Sequence, residues 1–176
     1  MFDGKYDHLL GKKFEYGTQD CLTTLSDYYR TIHGIEIGKD YARFPGWERE
    51  GLNLFVDNYY DEGFRLLEFA RADNWYTHLQ DGDLLFMSIH GLSDRANSGV
   101  ANHCAIWLEP KMILHHMFGR RSQIIDFKYK NSTTHILRHK DVPLKEKEVE
   151  QVDFFDILSP RKREMLRNAQ RAIEEV

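Results

Sequence analysis

Short apolar runs separated by turns lie between residues 84 and 139, and they constrain the fold more than any other feature. The runs cover residues 84–87, 103–108, 112–118, 123–129 and 133–139. Their lengths, and the Gly, Pro and Asn residues between them, are typical of β-strands joined in hairpins. We therefore expect an antiparallel sheet built from these runs.

The first half of the chain has helical periodicity instead. In a predicted helix over residues 21–33, apolar positions recur at three- and four-residue steps, with Asp20 as the N-cap and Gly34 as the end. A second helical pattern covers about 47–61, and a strand is predicted from Phe64. Helices followed by an antiparallel sheet predict the α+β class, with N-terminal helices packed on a small sheet.

Composition limits the classes of function. A chain of 176 residues, 41% of them hydrophobic, can bury one core. Its formal net charge of -4 argues against binding of nucleic acid or an anionic membrane, since both need a basic excess. There is no apolar run long enough for a membrane span, and residues 1–8 lack the layout of a secretory signal, so we expect synthesis in the cytoplasm. Two cysteines make no disulfide framework and are expected to be reduced.

The end of the chain is predicted to be separate from the domain, which covers residues 1–143. Residues 144–176 comprise a charged linker and a helix that Ser159 caps and Pro160 begins. The apolar stripe of this helix suits docking to a partner, whereas its charged face needs no explanation beyond solvation.

Cys21 falls in the first turn of the helix predicted after Asp20. A thiol in that position lies among unpaired N–H groups at the positive end of the helix dipole, which favours the thiolate and hence a nucleophile. The competing interpretation is a structural cysteine, because buried thiols are often inert. Cys21 is therefore a candidate nucleophile only if the chain also supplies a base.

The predicted hairpin supplies a base. Alternation places His103 on one strand face and Cys104 on the other, and it brings His115 on the returning strand opposite the neighbourhood of His103. We predict that His103 takes the proton of Cys21 and that His115 orients the ring of His103. Cys104 is interpreted as a small core residue, and His116 as a partly exposed neighbour.

The same side chains also suit other chemistry. Cys21, His103 and His115 could bind zinc through one thiolate and two imidazoles, although no close-spaced ligand pair lies on a turn. In the catalytic interpretation, which needs no metal and no cofactor, the N–H groups at the helix start, including that of Cys21, stabilise the developing oxyanion.

Taken together, these motifs resemble the NlpC-type family of papain-like-fold cysteine peptidases, which cut the bacterial cell wall. The similar segments are residues 17–21 (Gly-Thr-Gln-Asp-Cys), 82–86 (Gly-Asp-Leu-Leu-Phe), 102–106 (Asn-His-Cys-Ala-Ile) and 113–116 (Ile-Leu-His-His). The two histidines at positions 103 and 115 are twelve residues apart, the interval usual in that family. The resemblance implies a papain-like fold and a peptidoglycan endopeptidase that uses Cys-His-His chemistry.

Within that family the chain resembles the bacteriophage tail-assembly branch. The likeness rests on a Tyr-bearing helix at 27–30, on Trp47, on Gly63 with Phe64, and on residues 115–122 (His-His-Met-Phe-Gly-Arg-Arg-Ser). It implies a component of the virion tail tip whose partners are other tail-tip proteins. Such a protein would cleave the peptide stems of peptidoglycan, in the periplasm or cell wall, during DNA delivery.

One position departs from the family pattern. Secreted members usually carry a Tyr about where Phe14 stands, and its hydroxyl helps to hold the substrate. That contact is lost here unless Tyr16 supplies it. The predicted oxyanion and substrate residues are therefore Cys21, Gln19, Phe14 and Tyr16.

Two further functions stay open at this point. A structural tail-hub subunit with little or no activity would account for the amphipathic segment after Ser159. A transferase or amidase would use the same Cys-His chemistry, because an acyl-enzyme can be resolved by water, an amine or an alcohol.

Overall fold

The computed structural model describes residues 3–38, 55–67, 75–89 and 101–144. The charged linker and helix predicted beyond residue 144 lie outside the described residues, as do the start of the second predicted helix and most of the loop before His103. No helix in the described ranges is long and apolar enough to cross a membrane.

An antiparallel sheet dominates the described part of the chain and confirms the α+β class. Its strands are β1 (Phe64–Leu66), β2 (Leu84–Met87), β3 (His103–Leu108), β4 (Met112–His115), β5 (Gln123–Asp126) and β6 (Thr133–His139). Their order across the sheet is β1-β6-β2-β3-β4-β5, and every neighbouring pair is antiparallel. Strands β3 to β5 therefore follow one another as hairpins, whereas β6 returns to lie between β1 and β2.

Helix α1 (Cys21–Tyr28) begins at the predicted N-cap. Oδ1 of Asp20 accepts the N–H of Thr23 at 2.9 Å, and the N–H of Asp20 donates to Oγ1 of Thr23 at 2.5 Å. This reciprocal capping box satisfies groups that a helix start otherwise leaves unpaired. A π-helical turn (Tyr29–His33) extends α1 and ends at Gly34, whose φ of 69° lies in the left-handed region that glycine adopts without strain.

Asp20 also fixes the loop before the helix, since its Oδ2 accepts the N–H of Gly17 at 2.7 Å. Because Asp20 is buried and serves both segments, we expect Asp20→Ala to lower the free energy of unfolding by about 2 kcal/mol. Asp20→Asn keeps one acceptor oxygen and should cost less. Urea unfolding of the two variants checks this prediction, and equal stability of wild type and Asp20→Ala would contradict it.

Both faces of the sheet are covered by apolar side chains. On one face, Leu22 and Leu25 of α1 pack in a core with Ile106 and Leu114. On the other face, the buried cluster includes Leu85, Trp107, Ile113 and Phe127. Alternation along β3 thus divides its side chains between two cores, as the period of a strand requires.

A buried ion pair joins the neighbouring strands β2 and β6 at one end. Asp83, just before β2, is 1% exposed, and its carboxylate accepts hydrogen bonds from Nε and Nη2 of Arg138 on β6. Its Oδ2 also accepts the backbone N–H of Gln80 at 2.9 Å. Burial raises the pKa of Asp83, and the Arg138 guanidinium opposes that shift.

Candidate active site

Cys21 is the first residue of α1 and is 9% exposed. Its side chain neighbours the thiol of Cys104 on β3, and this neighbour, second to burial, raises the pKa of Cys104. Within the described residues, the backbone N–H groups of Cys21 and Leu22 donate no hydrogen bond. The start of α1 therefore combines a thiol with two free donors, as the stabilisation of an oxyanion requires.

His103 and His115 are paired on the face of the sheet that α1 does not cover. Nε2 of His103 lies 3.1 Å from Nδ1 of His115, and both side chains are buried. His115 lies directly across from Ala105 in the β3–β4 register, so His103 is its diagonal neighbour. The predicted pairing of these two histidines is confirmed.

Cys21 neighbours β3 at Cys104, the residue that follows His103. Cys104 lies on the face covered by α1, and His103 lies on the face that carries Ala105 and Trp107. The sequence predicted this division of faces correctly. The structure thus joins His103 directly to His115, and joins Cys21 to the residue that follows His103.

A third polar side chain, that of Gln123 at the start of β5, forms a hydrogen bond with His115 of this pair. Gln123 lies directly across from His115 in the β4–β5 register. Its side-chain amide nitrogen donates to Nε2 of His115 at 3.4 Å. Sequence reasoning missed Gln123; the only signal was a polar residue at the start of a predicted apolar strand.

Burial keeps both rings of the pair neutral. It lowers the pKa of His103 to about 3, with a further contribution from neighbouring His115. It lowers the pKa of His115 to about 4 in the same way, assisted by His116 and Arg120. A buried imidazole loses the hydration that its charged form needs, so the neutral form is favoured. At neutral pH each ring therefore has one bare nitrogen, which a base requires.

These two shifts predict that acidification destabilises the protein. Below about pH 6.5 the unfolded chain protonates both histidines, whereas the folded chain does so only near pH 3 and 4. The unfolded state then binds more protons, so the free energy of unfolding decreases as the pH is lowered, by roughly 2.5 kcal/mol for each ring by pH 4.5. Above pH 6.5 the two rings have no effect.

Urea unfolding between pH 7 and 4.5 measures this loss, with His115→Gln as the control, because its stability should fall less steeply. Nuclear magnetic resonance of the imidazole protons offers a direct check. Titration of either ring near pH 6.5 in the folded protein would contradict the prediction.

His116 was expected to be partly exposed, and this expectation is wrong: the side chain is completely buried. Its Nδ1 lies 3.5 Å from Oγ1 of Thr24 on α1, and its ring packs edge-to-face with Phe14 at 5.2 Å. The loop that precedes α1 therefore covers His116 from outside the hairpin. Contacts between such distant segments leave no signal in the alternation of a strand.

Phe14, Tyr16 and Phe118 form an aromatic cluster beside the start of α1. Phe14 meets both other rings edge-to-face, at 4.9 and 5.5 Å, and Tyr16 stacks on Phe118 at 5.4 Å. Tyr16 is 48% exposed and Phe118 is 58% exposed, so two of the three rings face solvent. Phe118 belongs with the two predicted substrate residues, although sequence reasoning did not select it.

Gln19, the remaining predicted substrate residue, closes a tight backbone turn. Its N–H donates to the carbonyl of Glu15 at 2.7 Å, and its own carbonyl accepts the N–H of Glu15 at 2.8 Å. Gly17 lies between them with a φ of 75°, which favours glycine. The backbone N–H of Gln19 is therefore already used, so only its side chain remains for contact with a ligand.

The zinc alternative finds no support in the described ranges, where no group of three His, Cys, Asp or Glu side chains is arranged to hold a metal ion. Both cysteines there are free thiols. The described residues thus bring His103 and His115 together on one face of the sheet, but they place Cys21 beside Cys104 on the other face.

Comparison with known proteins finds that the chain is similar to phage proteins. No protein-family model matches it. It is 33% identical over 136 residues to a protein described as tail tip assembly protein K of Escherichia phage N15, an alignment that covers 76% of this chain and 50% of the relative. It is 32% identical over 136 residues to the protein of the same description from Escherichia phage lambda, covering 76% of this chain and 60% of the relative. The chain spans about half the length of these relatives. Over most of its own length, this chain is a homologue of phage tail tip assembly proteins.

Proposed function

We propose that this protein is a cysteine peptidase of the phage tail tip that hydrolyses peptide-stem bonds of bacterial peptidoglycan. The observation that carries the proposal is the buried hydrogen bond between His103 and His115, because it joins a base to an orienting group. The thiol of Cys21, at the start of α1 and beside Cys104, the residue that follows His103 on β3, supplies the nucleophile.

The chemistry follows from the positions of three side chains. Sγ of Cys21 attacks the carbonyl carbon of the substrate and passes its proton to His103, while His115 holds the imidazole of His103. The negative oxygen of the intermediate is met by the free N–H groups at the start of α1. His103 then returns the proton to the leaving amine, and water releases the acyl group from Cys21.

His103 is the first residue of β3 and therefore lies at the end of the strand. Cys21 lies on the face of the sheet that α1 covers, and His103 lies on the other face. We propose that the two meet around the end of the strand, with the substrate carbonyl between the thiol and the imidazole.

The place of action rests on the relatives. Their description as tail tip assembly proteins supports a position in the virion tail tip, with other tail proteins as partners. An enzyme carried there would be made in the host cytoplasm and would meet peptidoglycan as the tail crosses the cell wall. The exposed rings of Tyr16 and Phe118 offer a surface for substrate beside the nucleophile.

Digestion of purified peptidoglycan tests the proposed activity. The protein is incubated with cell wall of the host, and new amino termini and soluble peptides are counted. We expect amino termini to appear in step with loss of turbidity. Release of sugar ends without new amino termini, or no release at all, would overturn the peptidase assignment.

A structural role is the second candidate, and one specific observation favours it. Tyr16 and Phe118 expose aromatic surface of the kind that is enriched in protein interfaces. If the domain is mainly a tail subunit, phage with Phe118→Ser should assemble defective tails even though the isolated protein has unchanged hydrolysis. Normal tails combined with slower hydrolysis would assign the aromatic cluster to the substrate instead.

A further inference from the structure

The hydrogen bonds that join His103 to His115 continue to a third side chain, that of Gln123. Gln123 lies directly across from His115, with its side-chain amide nitrogen 3.4 Å from Nε2 of that ring. Nδ1 of the same ring lies 3.1 Å from Nε2 of His103. The three side chains form one hydrogen-bonded chain on a single face of the sheet, with His115 in the middle.

The orientation of the Gln123 amide determines which ring nitrogens of His115 and His103 carry a proton. A neutral imidazole has one N–H donor and one bare nitrogen, whereas an amide nitrogen only donates. With the amide nitrogen of Gln123 towards His115, Nε2 of His115 accepts, and its Nδ1–H donates to Nε2 of His103. His103 then carries its own proton on Nδ1, and its unprotonated Nε2 is occupied by the hydrogen bond from His115.

A half turn of the same amide reverses every donor. Nε2–H of His115 then donates to the amide oxygen of Gln123, and Nε2–H of His103 donates to Nδ1 of His115. Nδ1 of His103 is now bare. Only this second arrangement lets neutral His103 accept a proton, which the role of a general base demands.

We propose that Gln123 is a positioning residue that sets the tautomers of His115 and His103, and so decides which nitrogen of His103 can accept a proton. Its significance for catalysis rests on the proposed function, in which His103 is the base. Gln123 acts through His115 and contacts neither the thiol nor the substrate.

Ring nitrogen chemical shifts of His103 and His115 test this directly in the full chain at neutral pH, because protonated and bare ring nitrogens give well-separated signals. In the resting wild type we expect the proton of His103 on Nδ1, so the Gln123 amide must turn before His103 accepts the proton of Cys21. Gln123→Glu places a carboxylate that only accepts beside His115 and should move that proton to Nε2. Gln123→Met, which is similar in size but has no amide to donate or accept a hydrogen bond, should give a mixture of both tautomers.

Hydrolysis is the second readout. We expect Gln123→Glu to be about fivefold faster than the wild type, which is the bias that one net hydrogen bond provides, and Gln123→Met to lie between the two. Asp126→Asn, on the exposed side of the same strand, should change neither the tautomers nor the rate.

The two proposals fail in different ways. Identical tautomers in the wild type and Gln123→Glu would overturn the inference about Gln123, even in a protein that hydrolyses peptidoglycan. The expected change of tautomer in a protein without hydrolysis would overturn the proposed function and leave the role of Gln123 as the tautomer-setting residue intact.

Discussion

Cys21→Ala is expected to reduce the hydrolysis of peptidoglycan by about a thousandfold or more, because loss of the nucleophile removes covalent catalysis altogether. The helix should survive the change. Its capping box involves Asp20 and Thr23, and neither bond uses the Cys21 side chain. The measurement is the rate of appearance of new amino termini from purified cell wall, with circular dichroism as the check on folding.

The chain provides its own control for this experiment. Cys104→Ala removes the other thiol and leaves the candidate nucleophile, so the greater part of the rate should remain. Iodoacetamide labelling of both variants would show which thiol reacts. Wild-type hydrolysis by Cys21→Ala would refute the catalytic role of Cys21, whereas equal losses in both variants would indicate a structural effect of removing either thiol.

Arg138→Met is expected to cost about 3–5 kcal/mol of stability, since it leaves the buried carboxylate of Asp83 without its cation. Asp83 is 1% exposed, and the Gln80 N–H alone cannot replace the two bonds from Arg138. Because 1 kcal/mol shifts the melting temperature of a domain this size by about 2–4 °C, we expect a fall of about 10 °C. Calorimetry or thermal circular dichroism measures it.

A neighbouring arginine gives the matched control. Arg65 lies directly across from Arg138 in the β1–β6 register, and its charge also lowers the pKa of Asp83, less than Arg138 does. Because Arg65 is exposed, Arg65→Met should cost no more than about 0.5 kcal/mol. The double variant Asp83→Leu with Arg138→Met should recover much of the loss, because no charge is then left buried. Similar melting temperatures for Arg65→Met and Arg138→Met would show that the ion pair contributes little.

Local rules explain why much of the fold was predictable. Asp20 caps α1 as expected, because an N-cap depends only on residues within one turn. His103 and Cys104 lie on opposite faces, because strand geometry enforces a period of two. β2, β3 and β6 have the bounds that their apolar runs indicate. The approximate pairing of His103 with His115 followed from the short turn between their strands.

The rest depended on contacts between distant parts of the chain. The contact of Cys21 with Cys104 requires the packing of α1 on the sheet, and the partnership of His115 with Gln123 requires the register of β5. The burial of His116 requires the loop that carries Phe14. None of these arises from a local period, so a single sequence offers no rule that would find them.

The position of β6 in the sheet determines when the sheet can be completed during synthesis. β6 pairs with β1 on one side and with β2 on the other, so these two strands are connected only after residues 133–139 have left the ribosome. Strands β3 to β5 are neighbours along the chain and can pair before that. A nascent chain that stops short of residue 133 would therefore hold the paired histidines on an unfinished sheet, with the edge of β2 open to aggregation.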